Sequence, residues 1–414
     1  MEVIWSGQRG RLPDTENHGV GHTDAEKYGT EKHSANNHRA YHFQSVLLLT
    51  RIAILLSLVV IFLGGWTRLN DAGLSCPDWP GCYGELILPS SEAGQAIAQS
   101  RFEQLPLDLS RGWLEMGHRY LAATLGLLVA VLALLGWRNR RGGQVEQGAR
   151  DQYNYPWRLS LILLGLVCLQ ALFGMWTVTL KLLPQVVTLH LLGGLLTLTL
   201  LMRLHQQLRR YLQQPLNHQL RNFQSRSQQS QSQQSPRNYH SRIRRMVLLA
   251  GGLLFIQIAL GGWTSSNYAG WSCSYWLSCE QNSVVALDFS EGFSLPPLVV
   301  QSQGKSYLGG KLGREARAAI QMSHRAMALL LSGYLLVLAL LLMARRRYRN
   351  TALLMLVILA SQLVLGVFNV QLGLPLSLAF SHHTGAVLLL MSVVRLFGLT
   401  DDQVNITEHK QSHR

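Results

Sequence analysis

Eight stretches of this chain each hold about 20 nearly uninterrupted apolar residues, at roughly 45–65, 116–137, 158–179, 185–203, 246–264, 318–343, 351–372 and 376–398. That length matches the hydrocarbon thickness of a bilayer crossed by a helix. Inside a bilayer only helices or closed barrels satisfy their own backbone, and runs this long and continuous are helices. The expected fold is therefore an all-α membrane protein with eight transmembrane helices. Orientation follows from the connections between the runs. Segment 138–158 carries Arg138, Arg140, Arg141, Arg150 and Arg158, segment 203–245 carries nine arginines and no acid, and 344–350 reads Ala-Arg-Arg-Arg-Tyr-Arg-Asn. The alternate connections carry Asp71, Asp78, Glu85, Glu92, Glu280 and Asp288. The positive-inside rule puts the basic connections and both termini in the cytoplasm. The net charge of +15 is thereby read as topology, and no nucleic-acid partner is expected.

The eight runs are two copies of one unit. Gly64-Gly65-Trp66-Thr67 with Cys76, Trp79 and Cys82 recurs 197 residues later as Gly261-Gly262-Trp263-Thr264 with Cys273, Trp276 and Cys279. From Gly64 to Cys82, 11 of 19 positions are identical at that offset. Such a repeat predicts two tandem, parallel four-helix bundles. The expected organisation is a polar N-terminal tail at 1–44, a first bundle at 45–203, a basic Gln/Ser-rich linker at 204–245, a second bundle at 246–398 and a tail at 399–414. The first 44 residues include His18, His22, His33, His38 and His42, which are read as part of an unstructured tail rather than a metal site. The linker is likewise read as unstructured.

Four of the five cysteines lie in the two acidic, outward-facing connections, as Cys76–Cys82 and Cys273–Cys279. An oxidising exterior favours a bridge within each pair. A plain staple and a redox-active pair both fit that spacing. Cys168, mid-helix, reads as a small buried apolar residue.

Ionisable residues in a membrane helix are functional candidates. His118, His190, His324 and His382 occupy the second and fourth helices of each half. His118 is seven residues past Arg111, His190 six past Pro184, His324 seven past Arg317 and His382 seven past Pro375. At 1.5 Å per residue all four lie about 10 Å below the outer helix ends. Two imidazoles at one depth on facing helices suit axial ligation of a haem iron, although unrelated polar contacts would also place histidines there. His383 points about 100° away from His382 and is not expected to share its iron. His382 aligns with His190 at an offset of 192, which Gln170/Gln362, Gly174/Gly366 and Gly193/Gly385 share. Arg119 and Arg325 follow the first histidine of each half and are candidates for propionate contact, as is Arg68; snorkelling to the interface is the alternative.

The halves differ where chemistry would need them to. Glu115, one turn before His118, is matched by Gln321 before His324, and Arg68 is matched by Ser265. A carboxylate beside one haem and an amide beside the other fits proton transfer in the first half and electron carriage in the second, while a structural hydrogen bond is the plainer reading of Glu115.

The passages Gly64–Cys82, Glu-Met-Gly-His-Arg at 115–119, Thr-Leu-His-Leu-Leu-Gly-Gly at 188–194, Met-Ser-His-Arg at 322–325 and Phe-Asn-Val-Gln-Leu-Gly-Leu-Pro-Leu at 368–376 together resemble the haem A synthase family. The resemblance covers about 45–400. It implies a bacterial inner-membrane oxidoreductase that converts the C8 methyl group of haem O to a formyl group by successive hydroxylations, for cytochrome oxidase assembly. It further implies that His324 and His382 ligate a resident haem B, and that His118 and His190 flank the substrate haem O with Glu115 as catalytic residue. Cys76 and Cys82 match the pair thought to act in redox steps in some members. The second cysteine loop lacks the Pro-Asp of the first. Expected partners are haem O, the bilayer, an electron donor that the sequence does not name, and haem O synthase; a homo-oligomer is left open. The alternative is a di-haem cytochrome b-type electron carrier, which would hold both haems permanently. A transporter would need broken midplane helices, and a haem O synthase would need Asp-rich cytoplasmic loops.

Overall fold

A computed structural model describes the backbone of residues 22–103, 107–140, 156–224, 237–275, 279, 286–298 and 306–412, and side chains within 44–103, 107–140, 156–210, 241–275, 279, 286–298 and 306–401. Ten helices make up nearly all of it: α1 (His22–Leu69), α2 (Glu92–Arg101), α3 (Leu109–Asn139), α4 (Trp157–Thr179), α5 (Pro184–Gln224), α6 (Arg237–Ser266), α7 (Phe289–Gly292), α8 (Arg314–Met343), α9 (Arg346–Gln371) and α10 (Leu376–Ser412). All but α2 and α7 contain a segment long and apolar enough to cross a membrane, from Gln44–Leu69 in α1 to Leu376–Asp401 in α10. The eight spans expected from hydropathy are thus the eight long helices.

Their lipid-facing sides can be read residue by residue. On α1, Leu48, Ile52, Leu55 and Val59 are exposed at helical spacing, while Val46, Thr50, Ala53 and Ser57 are buried. Small residues on the buried side allow close helix approach, which is how helices associate where lipid removes the hydrophobic drive. Cys168 departs from expectation: it is exposed on α4, near exposed Leu169 and Leu172. An apolar thiol gains nothing from burial when the surroundings are lipid.

Helix neighbours follow chain order. α3 packs on α4 and α4 on α5; α6 packs on α8, α8 on α9, and α9 and α6 on α10. α1 reaches α3 through Thr67, whose hydroxyl donates to Leu63 O and, at 3.5 Å, to Leu114 O. The two sets meet where α5 packs on α6 and α10, over a core that joins Ile61, Leu195 and Leu198 to Leu254, Leu335 and Val393.

Matched positions make matched local structure. After α1, Ala72 N donates to Thr67 O, and after α6, Ala269 N donates to Thr264 O, both at 2.9 Å. The left-handed residue needed for that turn is Asp71 (φ 52°) in one and Tyr268 (φ 54°) in the other. After α4 and α9 the same role falls to Lys181 (φ 50°) and Gly373 (φ 70°), ahead of Leu182 N–H to Thr177 O and Leu374 N–H to Asn369 O.

The helices run further than the apolar stretches. α5 continues to Gln224 and α10 to Ser412, and α1 begins at His22, so the tails and linker read as unstructured are partly helical. Leu, Gln and Arg, which dominate 204–224, are good helix formers, and a helix already nucleated in the membrane extends at low cost. His18 and Trp276 lie outside the described residues, and the side chains of His22, His33, His38 and His42 lie outside those described.

Candidate functional site

α3 begins at an N-cap, Asp108, whose carboxylate accepts from Arg111 N at 3.1 Å. These backbone and Ser110 hydrogen bonds hold its carboxyl below the ordinary aspartate value. From that fixed start, Glu115, His118 and Arg119 come round on successive turns of the face turned inward. Glu115 is 5% exposed. Its Oε2 accepts from Cys76 N at 3.0 Å and its Oε1 from Arg119 at 2.5 Å. Arg119 also donates to the carbonyl oxygens of Asp78 (3.0 Å), Pro80 (3.2 Å) and Gly81. The carboxylate and guanidinium together grip both sides of the loop closed by the Cys76–Cys82 disulfide.

The second half builds the same bracket from neutral parts. Gln321 Oε1 accepts from Cys273 N at 2.6 Å, and its Nε2 donates to Gly270 O at 2.7 Å. Arg325 donates to Cys273 O at 2.6 Å and Tyr275 O at 2.7 Å. Cys273 is bonded to Cys279. An amide brings its own donor, whereas a carboxylate has none. Glu115 therefore draws Arg119 onto itself, while Arg325 spends its donors on carbonyls.

Below each bracket lies a histidine pair. His118 (α3) and His190 (α5) face each other with ring centroids 6.3 Å apart and planes at 80°. Their Nδ1 atoms are buried without hydrogen-bond partners. Glycines make the seats: a Cβ at Gly64 would stand 2.7 Å from His118 Cε1, and one at Gly174 3.5 Å from His190 Cε1. In the second half, Gly261 and Gly366 hold His324 and His382 in the same way, at 3.2 and 3.5 Å.

The first pair has the spacing a haem needs, and the second repeats its glycine seats. An imidazole nitrogen lies about 1 Å from its ring centre and binds a metal at about 2 Å, so two rings on one ion have centres roughly 6 Å apart. Among the described residues no group of three or more His, Cys, Asp or Glu could hold a bare metal ion. Two imidazoles alone leave an iron unsaturated, and a macrocycle supplies the missing equatorial ligands.

One polar contact separates the pairs. The Gln257 amide lies 3.1 Å from His324 Nδ1; the matched residue of the first half is Val60. Gln257 Oε1 has no other partner. The same amide nitrogen lies 3.4 Å from His324 Nε2, so the amide sits alongside the ring rather than in line with Nδ1 and restrains the imidazole by contact. Neither ring of the first pair has such a holder at Nδ1. Gln257 was not legible as a site residue, and the signal was the exchange of an apolar for a polar residue at the 197 offset.

Arg68 reaches residues of the second half. It donates to Asp71 (2.9 Å), the Tyr268 hydroxyl (3.1 Å) and Ser265 O (2.6 Å), and its guanidinium sits 4.5 Å from the Tyr268 ring centroid. The Tyr268 hydroxyl donates to Asp71 at 2.6 Å. Burial, and then the Asp71 contact, push that phenol above its ordinary value. Arg68/Ser265 and Asp71/Tyr268 are matched positions that meet each other. Nearby, Gln185 Nε2 donates to Pro296 O at 2.6 Å and Tyr307 N to Lys181 O at 3.0 Å, so loops of the second half also reach over the α4–α5 turn.

Known proteins resemble this chain over most of its length. The COX15-CtaA family model, described as cytochrome oxidase assembly protein, matches residues 47–394. The chain is 37% identical over 350 residues to the "Heme A synthase" of Shewanella oneidensis, covering 84% of this chain and 94% of that one. It is 26% identical over 403 residues to that of Beijerinckia indica, covering 89% and 96%, and 28% identical over 358 residues to that of Hyphomonas neptunium, covering 80% and 87%.

Proposed function

Because this chain belongs to the COX15-CtaA family of cytochrome oxidase assembly proteins, we propose that its two histidine pairs divide the work of a haem A synthase between a substrate site and a resident cofactor. Its function is that of a membrane oxidoreductase converting haem O to haem A. In our reading the chain comprises two tandem bundles, 45–203 and 246–398, with the cysteine loops outside a bacterial inner membrane and both termini in the cytoplasm. His118 and His190 receive the substrate haem O. His324 and His382 hold haem B.

What supports this division is the pairing of differences: the half with the carboxylate has no Gln257 equivalent. A substrate has to enter and leave, and a ligand ring without a side-chain holder permits exchange. A permanent cofactor is better served by a fixed imidazole. When bound, the resident haem supplies one-electron transfer.

The remaining work falls to side chains. Glu115 stands one turn from His118 and is the group that moves protons at the substrate. To take a proton at Oε1 or Oε2 it must weaken its bond to Arg119 or to Cys76 N–H, so its protonation is tied to the loop above the site. Arg68, Arg119 and Arg325 are the basic side chains beside the cysteine loops that would meet the propionates. A guanidinium has five donors, so loop bracing and propionate recognition are compatible in one side chain. The disulfides keep the loop carbonyls where those arginines need them.

The test is chromatography of haems extracted from membranes that make haem O, with and without this protein. Haem A is expected only with it. Unchanged haem O alongside folded, haem-loaded protein would overturn the assignment. Two equally tight haem B groups in the purified protein would favour the electron carrier.

A further inference from the structure

His383 follows the ligand His382 on α10, yet its ring does not turn toward the second-half site. It rests on α1 of the first half. A Cβ at Gly65 would stand 2.6 Å from both Cδ2 and Nε2 of His383, so only glycine admits the imidazole there. Gly65 is bonded to Gly64, and Gly64 is the seat of His118. Around this contact the surface is aromatic: Phe380, one turn before His383, packs edge-on against Trp66 at 5.1 Å and Phe62 at 6.3 Å.

The matched contact shows what plain packing would look like. At the offset of 192 the counterpart of His383 is Leu191, and it rests on Gly262, with Leu191 Cδ2 3.0 Å from the ideal Cβ position. Gly262 adjoins Gly261, the seat of His324. The chain thus has two crossed bridges between its histidine pairs. One runs His190–Leu191, Gly262–Gly261, His324, and the other runs His382–His383, Gly65–Gly64, His118. A leucine suffices to fill the first. The second carries an imidazole that hydrogen-bonds the Ile61 backbone on the same helix, α1, while its Nε2 is buried without a partner. A buried unsatisfied polar atom costs about 1–3 kcal/mol, which packing alone does not explain where leucine does the same job.

Resting on the assignment of the two pairs above, we infer that His383 is a positioning residue for the first-half site, acting through Gly65–Gly64 on the ring of His118. The bridge makes the substrate-side ligand depend on a residue next to the resident cofactor's ligand. The two sites are then joined by contact as well as by proximity.

The test uses the full-length chain in two backgrounds, each leaving one histidine pair. With His324→Ala and His382→Ala, purified protein reconstituted with haem O reports the first half alone. With His118→Ala and His190→Ala, protein loaded with haem B reports the second. Adding His383→Ala is expected to shift the Soret maximum and the largest low-spin g value in the first background and to leave both unchanged in the second. No shift in the first background, or a shift confined to the second, overturns the inference. Loss of haem B from the second background on His383→Ala also overturns it, because His383 would then be serving the second-half iron. Folding effects are separated by a second pair of variants. Gly65→Ala, which displaces His383, should lower haem O retention in the first background. Combining it with His383→Ala should restore retention to the level of His383→Ala alone; failure to restore it counts against the contact. If neither parent background binds haem, the assignment of the histidine pairs fails, whatever His383 does.

Discussion

The two cysteine-loop brackets use one scaffold and differ by a single side-chain atom. Glu115 and Gln321 each accept from a cysteine N–H, at 3.0 and 2.6 Å. Where Gln321 presents an N–H₂ to Gly270 O, Glu115 presents a second oxygen and captures Arg119. The comparison teaches that the amide is the sufficient structural solution. The carboxylate adds a charge, an ion pair and a titratable proton that the loop does not need, and the same half omits the glutamine that contacts a histidine ring in the other.

The comparison breaks most sharply at Glu115. Glu115→Gln copies the second half and should leave the loop and haem content intact while haem A formation falls about 10²–10⁴-fold, the usual range for a lost acid–base group. Haem analysis of membranes reads this, and activity within a few-fold of wild type would leave Glu115 a structural residue. Next in size is Arg119→Ala. The side chains of Arg119 and Glu115 are only 13% and 7% exposed, so removing one partner strands a buried charge at a cost of about 3–5 kcal/mol. Thermal unfolding in detergent should show that loss for Arg119→Ala and a much smaller one for the Arg119→Ala, Glu115→Gln double variant. Gln257→Val transplants the first half's residue and should weaken resident haem retention about 10–100-fold, as for other groups that orient a metal ligand; dilution followed by spectroscopy measures it. Smallest is Tyr268→Phe, which removes the hydroxyl's hydrogen bonds to Asp71 and from Arg68 and should lower stability by about 1–2 kcal/mol without altering haem spectra.

Most of the fold was legible because bilayer thickness writes itself into the length of apolar runs. The ends of the helices were not, since past the membrane polar helix formers continue the backbone pattern without a hydropathy signal, as at 204–224. The imidazole pairs and Glu115 stood out as ionisable groups in apolar surroundings. Gln257 and His383 did not. A single amide in an apolar run reads as noise, and a second histidine beside a better-aligned one reads as redundant; both acquire meaning only against Val60 and Leu191. The partners of Arg68 were not legible either, because spacing along one helix says nothing about the Ser265 carbonyl brought to it by another.

The contacts between the two halves bear on the integrity of the chain itself. Arg68 holds Ser265, Tyr268 holds Asp71, Gln185 holds Pro296 and Tyr307 holds Lys181, all non-covalently and all at the cysteine-loop end. None of these depends on the peptide that connects α5 to α6. A gene split between the codons for residues 225 and 236 should therefore yield two fragments that recognise each other in the membrane, with the specificity of their pairing carried by the arginine and tyrosine rather than by the tether.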